Sequence, residues 1–376
     1  MHYDSLTMMT LDPPIQASFS GSYLPEEVTF LLRRIEVSAT PLEERERLIQ
    51  SGQRHYSEMI GPEDAPTRQR MRLFRESLLT NGAQLAQDIC GLAAALAESA
   101  YQGEVVITSI ARAGTPIGTL LWHRLRQTRP DLRVSHYSIS IIRDRGVDYA
   151  ALRTILQNHP AQSLRFVDGW TGKGTIAKEL RESLAGKPEF EEINDGLWTP
   201  LDVCGAACYA PNARDYLIPS TLLGGTVSGL VSRSVLPRGE EGGSEWHGCV
   251  ELRHLRRYDL SQWFVRTMLE KMAALDSSDE SPPNASGGQP RYVAAHAFLS
   301  ALLEEHGMTD RNRIKLGIGE TVRVLLRRLP RLVLLSPDAH ETDAVLIRQL
   351  AQHRGVPLEV RQMPFAAVAL IANVAQ

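Results

Sequence analysis

Residues 164–178, LRFVDGWTGKGTIAK, place a carboxylate, glycines and threonines in an order suited to holding a phosphorylated sugar. Leu164, Phe166 and Val167 read as a short apolar strand ending on Asp168. Gly169, Gly172 and Gly174, with Thr171 and Thr175, form a loop, and a helix begins near Ile176. A helix N-terminus offers unpaired N–H groups and the positive end of its dipole to a phosphate. Hydroxyls add donors, and a carboxylate accepts from sugar hydroxyls. Glycine serves wherever the backbone must lie against the ligand. A P-loop is excluded, because Val167 and Gly174 stand where it needs Gly and Ser or Thr. The G-x-G-x-x-G dinucleotide spacing is absent too. An ordinary glycine-rich turn between strand and helix remains the alternative.

A second stretch, EVVITSIARAGTPIG (residues 104–118), runs from an apolar strand through Ala111, Arg112, Ala113 and Gly114 into another helix. Small residues let a backbone close around an anion, and Arg112 adds a charged donor there. Between the two stretches, Leu132 to Ile142 alternates like a strand and breaks at Arg143-Asp144-Arg145-Gly146. Arg143 and Arg145 read either as a mobile lid over a charged leaving group or as a solvated turn.

Together these stretches resemble the type I phosphoribosyltransferases. In that family an apolar strand runs into two acids and a Thr/Gly loop around a 5′-phosphate, with a pyrophosphate loop upstream. Gly169 stands where the second acid is usual, and the loop is shorter than usual. The resemblance implies that Asp168 is the catalytic residue, orienting the ribose hydroxyls. It implies that Thr171, Gly172, Lys173, Gly174 and Thr175 hold the 5′-phosphate, and that Ala111, Arg112, Ala113 and Gly114 hold pyrophosphate. The implied reaction transfers ribose 5-phosphate from phosphoribosyl diphosphate to a base-like acceptor. Mg²⁺ is the implied cofactor, carried largely by substrate oxygens and water. The protein's share of such chemistry is positioning and charge stabilisation. A non-catalytic sensor of the same ligand, or an RNA-binding regulator, is the alternative.

To position these loops the chain needs an α/β fold: a parallel-sheet, phosphoribosyltransferase-like core under a helical N-terminal hood. Helical patterns cover Glu26–Ile35, Pro41–Ser51, Thr67–Thr80 and Asn81–Glu98, and Leu252–Leu275 reads as a closing helix. Residues 1–20 read as a loosely ordered N-terminus, 21–275 as the core domain (its hood 21–100), and 276–290 as a polar linker. Residues 291–376 read as a small α-β-α sandwich. Its helices are Tyr292–His306, Glu320–Leu329 and Asp338–Arg354, and its strands Arg331–Leu335 and Leu358–Val360.

This C-terminal stretch resembles Pelota and L7Ae-like RNA-binding domains, in which a Gly-x-x-Glu turn opens a helix that meets RNA. That implies Gly317, Gly319, Glu320 and Thr321 as RNA contacts. Residues 291–376 carry 11 Arg and Lys against 8 Asp and Glu, which permits RNA binding without requiring it. As a whole the chain resembles a bacterial family found with tellurium-resistance and stress operons, some members of which carry the label StiP. That family has been proposed to make a nucleoside-like metabolite, and its label is sometimes attached to "cysteine protease". The cysteines leave three readings open. Cys204, Cys208, His247 and Cys249 could converge on zinc, a cysteine paired with histidine could be a nucleophile, or the thiols could be structural. Cys90, in an apolar helix, reads as core.

Composition sets the limits. The 376 residues suit two domains, and 43% apolar with 23% charged residues describes an ordinary globular chain. A net charge of −3 argues against nucleic-acid binding spread over the whole chain. No run is long enough to span a membrane, so no membrane partner is expected. Four cysteines make no disulfide framework, which points to the cytoplasm, and a homodimer is allowed.

Overall fold

The first ordered segment is extended, not helical. In the computed structural model, which describes residues 18–240, 244–275 and 282–374, the stretch expected as helix Glu26–Ile35 holds strands β1 (Thr29–Phe30) and β2 (Arg33–Arg34). Phe30, Leu31 and Leu32 are all buried, so side chains on both faces pack, which a one-sided helix could not satisfy. The expectation for residues 1–17 lies outside the described residues.

Helix α1 (Leu42–Gln50) precedes α2 (Arg68–Glu98), whose first turn is capped by the Thr67 hydroxyl accepting from Arg70 N at 3.1 Å. The two helices expected on either side of residue 80 are one. Asn81 does not break it, because its amide donates outward to Leu217 O and Asp343 Oδ1, both at 3.0 Å.

The core then alternates. Strand β3 (Glu104–Ile110) leads to α3 (Gly114–Thr128) and β4 (Arg133–Ile139). A hairpin of β5 (Ile141–Ile142) and β6 (Gly146–Val147) follows, then α4 (Tyr149–Leu156), β7 (Leu164–Val167), α5 (Thr175–Leu184) and β8 (Leu197–Trp198). Strand β9 (Gly248–Cys249) pairs with β2, and α6 (Ser261–Ala273) closes the unit. The main sheet has order β1-β4-β3-β7-β8 and every pairing in it is parallel. The seven residues of β3 are all buried, as a central strand covered on both faces requires. From β3 the chain first pairs to one side, through β4, and then to the other, through β7. The loops after β3 and β7 therefore flank the reversal of strand order, where open parallel sheets form their ligand crevice.

The C-terminal unit contains α7 (Gly288–Glu305), β10 (Ile314–Leu316), α8 (Ile318–Arg327), β11 (Pro330–Leu335), α9 (Glu341–His353), β12 (Leu358–Val360) and β13 (Ala367–Ile371). Its sheet runs β10-β13-β11-β12, with β13 antiparallel to both neighbours. Alternation along β11 sorts the layers. Leu332 and Leu334 pack with α7, while Val333 and Leu335 pack with α8, α9 and the N-terminal core.

The two units thus share one apolar cluster, and polar pins cross it. The buried Asp215 carboxylate accepts from Ile318 N at 2.9 Å and Ala366 N at 3.0 Å. Arg328 donates to buried Glu46 at 2.8 Å. Of the expected linker, residues 276–281 lie outside the described residues. Beyond them Ser286 is buried and donates to Asp202 Oδ2 at 2.7 Å. Among the described residues no helix is long and apolar enough to cross a membrane.

Candidate functional site

Two backbone loops touch at the crevice. A Cβ on Gly114 would lie 2.4 Å from Val167 O, and one on Gly169 would lie 3.0 Å from Ala113 O. Only glycine lets the loop after β3 approach the end of β7 this closely. Gly174 sits at φ +76° immediately before α5, a conformation that L side chains rarely adopt. The sequence-derived loops are therefore brought together, with Asp168 between them.

The C-terminal unit then covers them. A Cβ on Gly172 would meet Glu320 Cγ at 2.9 Å and Leu316 O at 3.1 Å, and Gly319 lies against the Trp170 indole. Thr171 donates to Asp202, which also accepts from Cys204 N, Gly205 N and Ala207 N. The Lys173 ammonium donates to Arg311 O at 2.6 Å. Gly317, at φ +91°, opens α8, and Thr321 is fully buried. Of the four residues expected to meet RNA, Glu320 faces the charged cleft; the others are packed into the contact between units.

That cleft collects charge from both units. Burial pushes the Asp168 carboxyl up to about 7 against the Gly169 N–H that donates to it, with Arg323 lowering and Glu320 raising it further. Burial, then the neighbouring Lys315, pushes Lys173 down to about 7; burial brings Lys315 to about 8. Glu320 goes the other way. Burial works against its charge, but Arg323, in contact at 2.6 Å, and Lys315 outweigh that and hold it at about 2. Arg323 also lies over Trp170, 5.7 Å from the ring centroid.

Deeper in, Arg112 pairs with Glu63 at 2.6 Å and donates to Val231 O at 2.7 Å. Arg327, whose charge burial and Arg112 disfavour, is pushed down to about 9. The Arg143–Arg145 turn is tied down: Arg143 N donates to Tyr56 OH at 2.7 Å, and Arg145 pairs with Glu58 at 3.2 Å. Sequence reasoning missed Lys315, Arg323, Arg327 and Glu63. The i, i+4 arginines of α8 were visible, but nothing local says that α8 docks on the core loops.

The thiols form no comparable centre. Cys204 is buried, with Sγ 3.8 Å from Thr171 Oγ1, and burial pushes it far up; burial pushes Cys208 and Cys249 to about 12. His247 pairs with the Ser140 hydroxyl at 2.7 Å, and burial drives it down to about 4. Among the described residues no imidazole hydrogen-bonds a thiol, and no group of three or more His, Cys, Asp and Glu could hold a metal. Of the cleft's own carboxylates, Glu320 is engaged by Arg323 and Lys315, which leaves Asp168.

Comparison with known proteins supplies the rest. A family model described as "Tellurite-like stress resistance cysteine protease StiP" matches residues 21–269, and one described as "PELOTA RNA binding domain" matches residues 293–373. A protein of Acinetobacter baylyi named "Cysteine protease StiP" is 40% identical over 369 residues, covering 95% of each chain. No solved structure matches. These matches overturn the expectation of phosphoribosyl transfer, and with it phosphoribosyl diphosphate and a base-like acceptor as partners. The geometry supplies a physical reason. Thr171 and Lys173, the loop's best side-chain donors, are spent on Asp202 and Arg311, and α8 rests on the loop that a sugar phosphate would need open.

Proposed function

The chain belongs to the StiP family, and we propose that it is a stress protein that binds RNA in the cleft between its two units. The observation that carries this reading is the charge convergence. Arg112, Arg143, Lys173, Lys315, Arg323 and Arg327 gather around Glu63, Asp144, Asp168, Asp310 and Glu320, so cations exceed acids there, and half of those cations come from the Pelota-type unit. A phosphodiester backbone neutralises such an excess and releases counterions, while Trp170 beneath Arg323 offers a ring face for a base. RNA contact on this reading runs through the flank of α8 rather than through its packed first turn. The parallel sheet, with Asp168 and the Ala111–Gly114 loop at adjacent strand ends, also supports a phosphoribosyltransferase-like fold for the core, as a scaffold only.

The test is fluorescence polarisation with labelled single-stranded and hairpin RNA across a salt series. Binding that weakens with salt, with a shallower slope for Lys315→Ala/Arg323→Ala, supports the reading; no binding, or an unchanged slope, removes it.

A second reading, hydrolysis by a cysteine, follows from the family's description and the relative's name. Its candidate nucleophile is Cys208, the cysteine on an exposed residue. Burial holds that thiol at about 12, so a base would have to reach it when substrate binds. Peptide hydrolysis lost on both iodoacetamide treatment and Cys208→Ser would establish it. Hydrolysis that survives both would remove Cys208 from the role.

A further inference from the structure

A second basic surface lies along the first turns of α2. The groove there has a volume of about 530 Å³ and runs between the first turns of α2 and the segment before α6. Arg68, Arg72 and Arg75 follow one another at i, i+4 and i+7, so they share one stripe of the helix, and Arg257 faces them from the opposite wall. All four are exposed. Among the described residues the one acid lining the groove, Glu76, is paired with Arg72 at 3.6 Å.

The groove is also apolar. Leu79 continues the arginine stripe and is 78% exposed. Met71 and Leu260 form the adjoining half-buried surface, and the Tyr258 ring carries Arg257 at 4.7 Å. Beside it, Trp263 of α6 stays partly exposed over Phe74 of α2.

We propose that this groove docks an acidic amphipathic peptide of a partner protein, with carboxylates on the four arginines and an apolar anchor on Leu79 and Met71. Charge complementarity selects the sign of the partner. The exposed leucine selects its kind, because a phosphodiester strand gains nothing from an aliphatic side chain, whereas an amphipathic segment buries it. Arginine suits the role, since its fork pairs carboxylates in two places while its stem covers apolar surface. This surface is independent of the cleft.

The experiment selects binders for the full chain from a random display library of peptides about 12 residues long, then measures free peptides by polarisation. The enriched peptides should carry several Asp or Glu around a Leu, Phe or Trp. Arg72→Glu/Arg75→Glu should raise their Kd more than about tenfold, and Leu79→Ser should raise it too. Lys315→Ala/Arg323→Ala, in the cleft, should leave it within about twofold. Enrichment of peptides without acids, no enrichment, or a Kd unmoved by the arginine reversal would overturn the proposal. So would a reversal that leaves peptides bound but abolishes RNA binding, which would make the groove a nucleic-acid surface. Arg72, Arg75, Leu79 and Arg323 are exposed and Lys315 is partly buried, and matching melting temperatures exclude misfolding as the cause.

Discussion

The Arg323 guanidinium lies over the Trp170 indole, 5.7 Å from the ring centroid, and joins the Pelota-type unit to the glycine loop of the core. The pair puts a cation and a π-face at one point of the cleft. Trp170→Ala is expected to raise the Kd for single-stranded RNA by about tenfold, since base stacking on an aromatic is worth roughly 1–3 kcal/mol. Arg323→Lys, which keeps charge but loses the planar fork, should fall between wild type and Trp170→Ala. Polarisation titrations at fixed salt check both.

His136 predicts a pH dependence of stability. Its Nδ1 contacts Glu27 O and its Nε2 the Ser109 hydroxyl, each at 2.8 Å, and burial pushes it down to about 4. The folded state therefore binds this proton less readily than the unfolded chain does. Stability from neutral His136 is complete above the unfolded value near 6.5 and is lost as pH falls towards 4. The loss from this residue is on the order of 3 kcal/mol. Urea melts at pH 7 and pH 4.5 should show a steeper decline for wild type than for His136→Gln; parallel declines would contradict the assignment.

Gly114→Ala should destabilise the core by about 1–3 kcal/mol, because its Cβ would stand 2.4 Å from Val167 O and force two backbones apart. A urea midpoint equal to wild type would show that the loops do not pack this way.

How much of this was legible in the sequence differs by element. The strand-loop-helix around Asp168 and the loop at Ala111–Gly114 were readable because apolar runs ending in glycines are local signals. Residues 26–35 misled, because Val28, Phe30 and Leu31 satisfy a helical pattern equally well until β1 finds β4. Strands β10 and β13 hid in short apolar runs that periodicity alone does not assign. The charged cleft was beyond reach. Lys315, Arg323 and Arg327 lie more than a hundred residues from Asp168 and Lys173, and only the docking of α8 brings them together. Cys208 sits on an exposed residue, yet its sulfur lies where a Cβ on Gly196 would reach it at 2.6 Å, which no sequence spacing could reveal.

That docking depends on Asp215, whose carboxylate takes N–H bonds from both Ile318 and Ala366. Asp215→Ala leaves both donors unpaired in a partly buried contact, at a cost of about 1–3 kcal/mol in total. The urea midpoint should drop accordingly, and RNA binding should weaken as the cleft loosens. Unchanged stability would mean that the two units are not held together here.

The central claim, RNA in the cleft between the units, is tested most directly by photocrosslinking. RNA carrying 4-thiouridine would be irradiated on the full chain and the crosslinked peptides identified by mass spectrometry. Crosslinks at Trp170 and at Lys315–Arg327, lost when Lys315 and Arg323 are replaced by alanine, are the predicted result. Crosslinks confined to other surfaces, or insensitive to that replacement, would contradict the account.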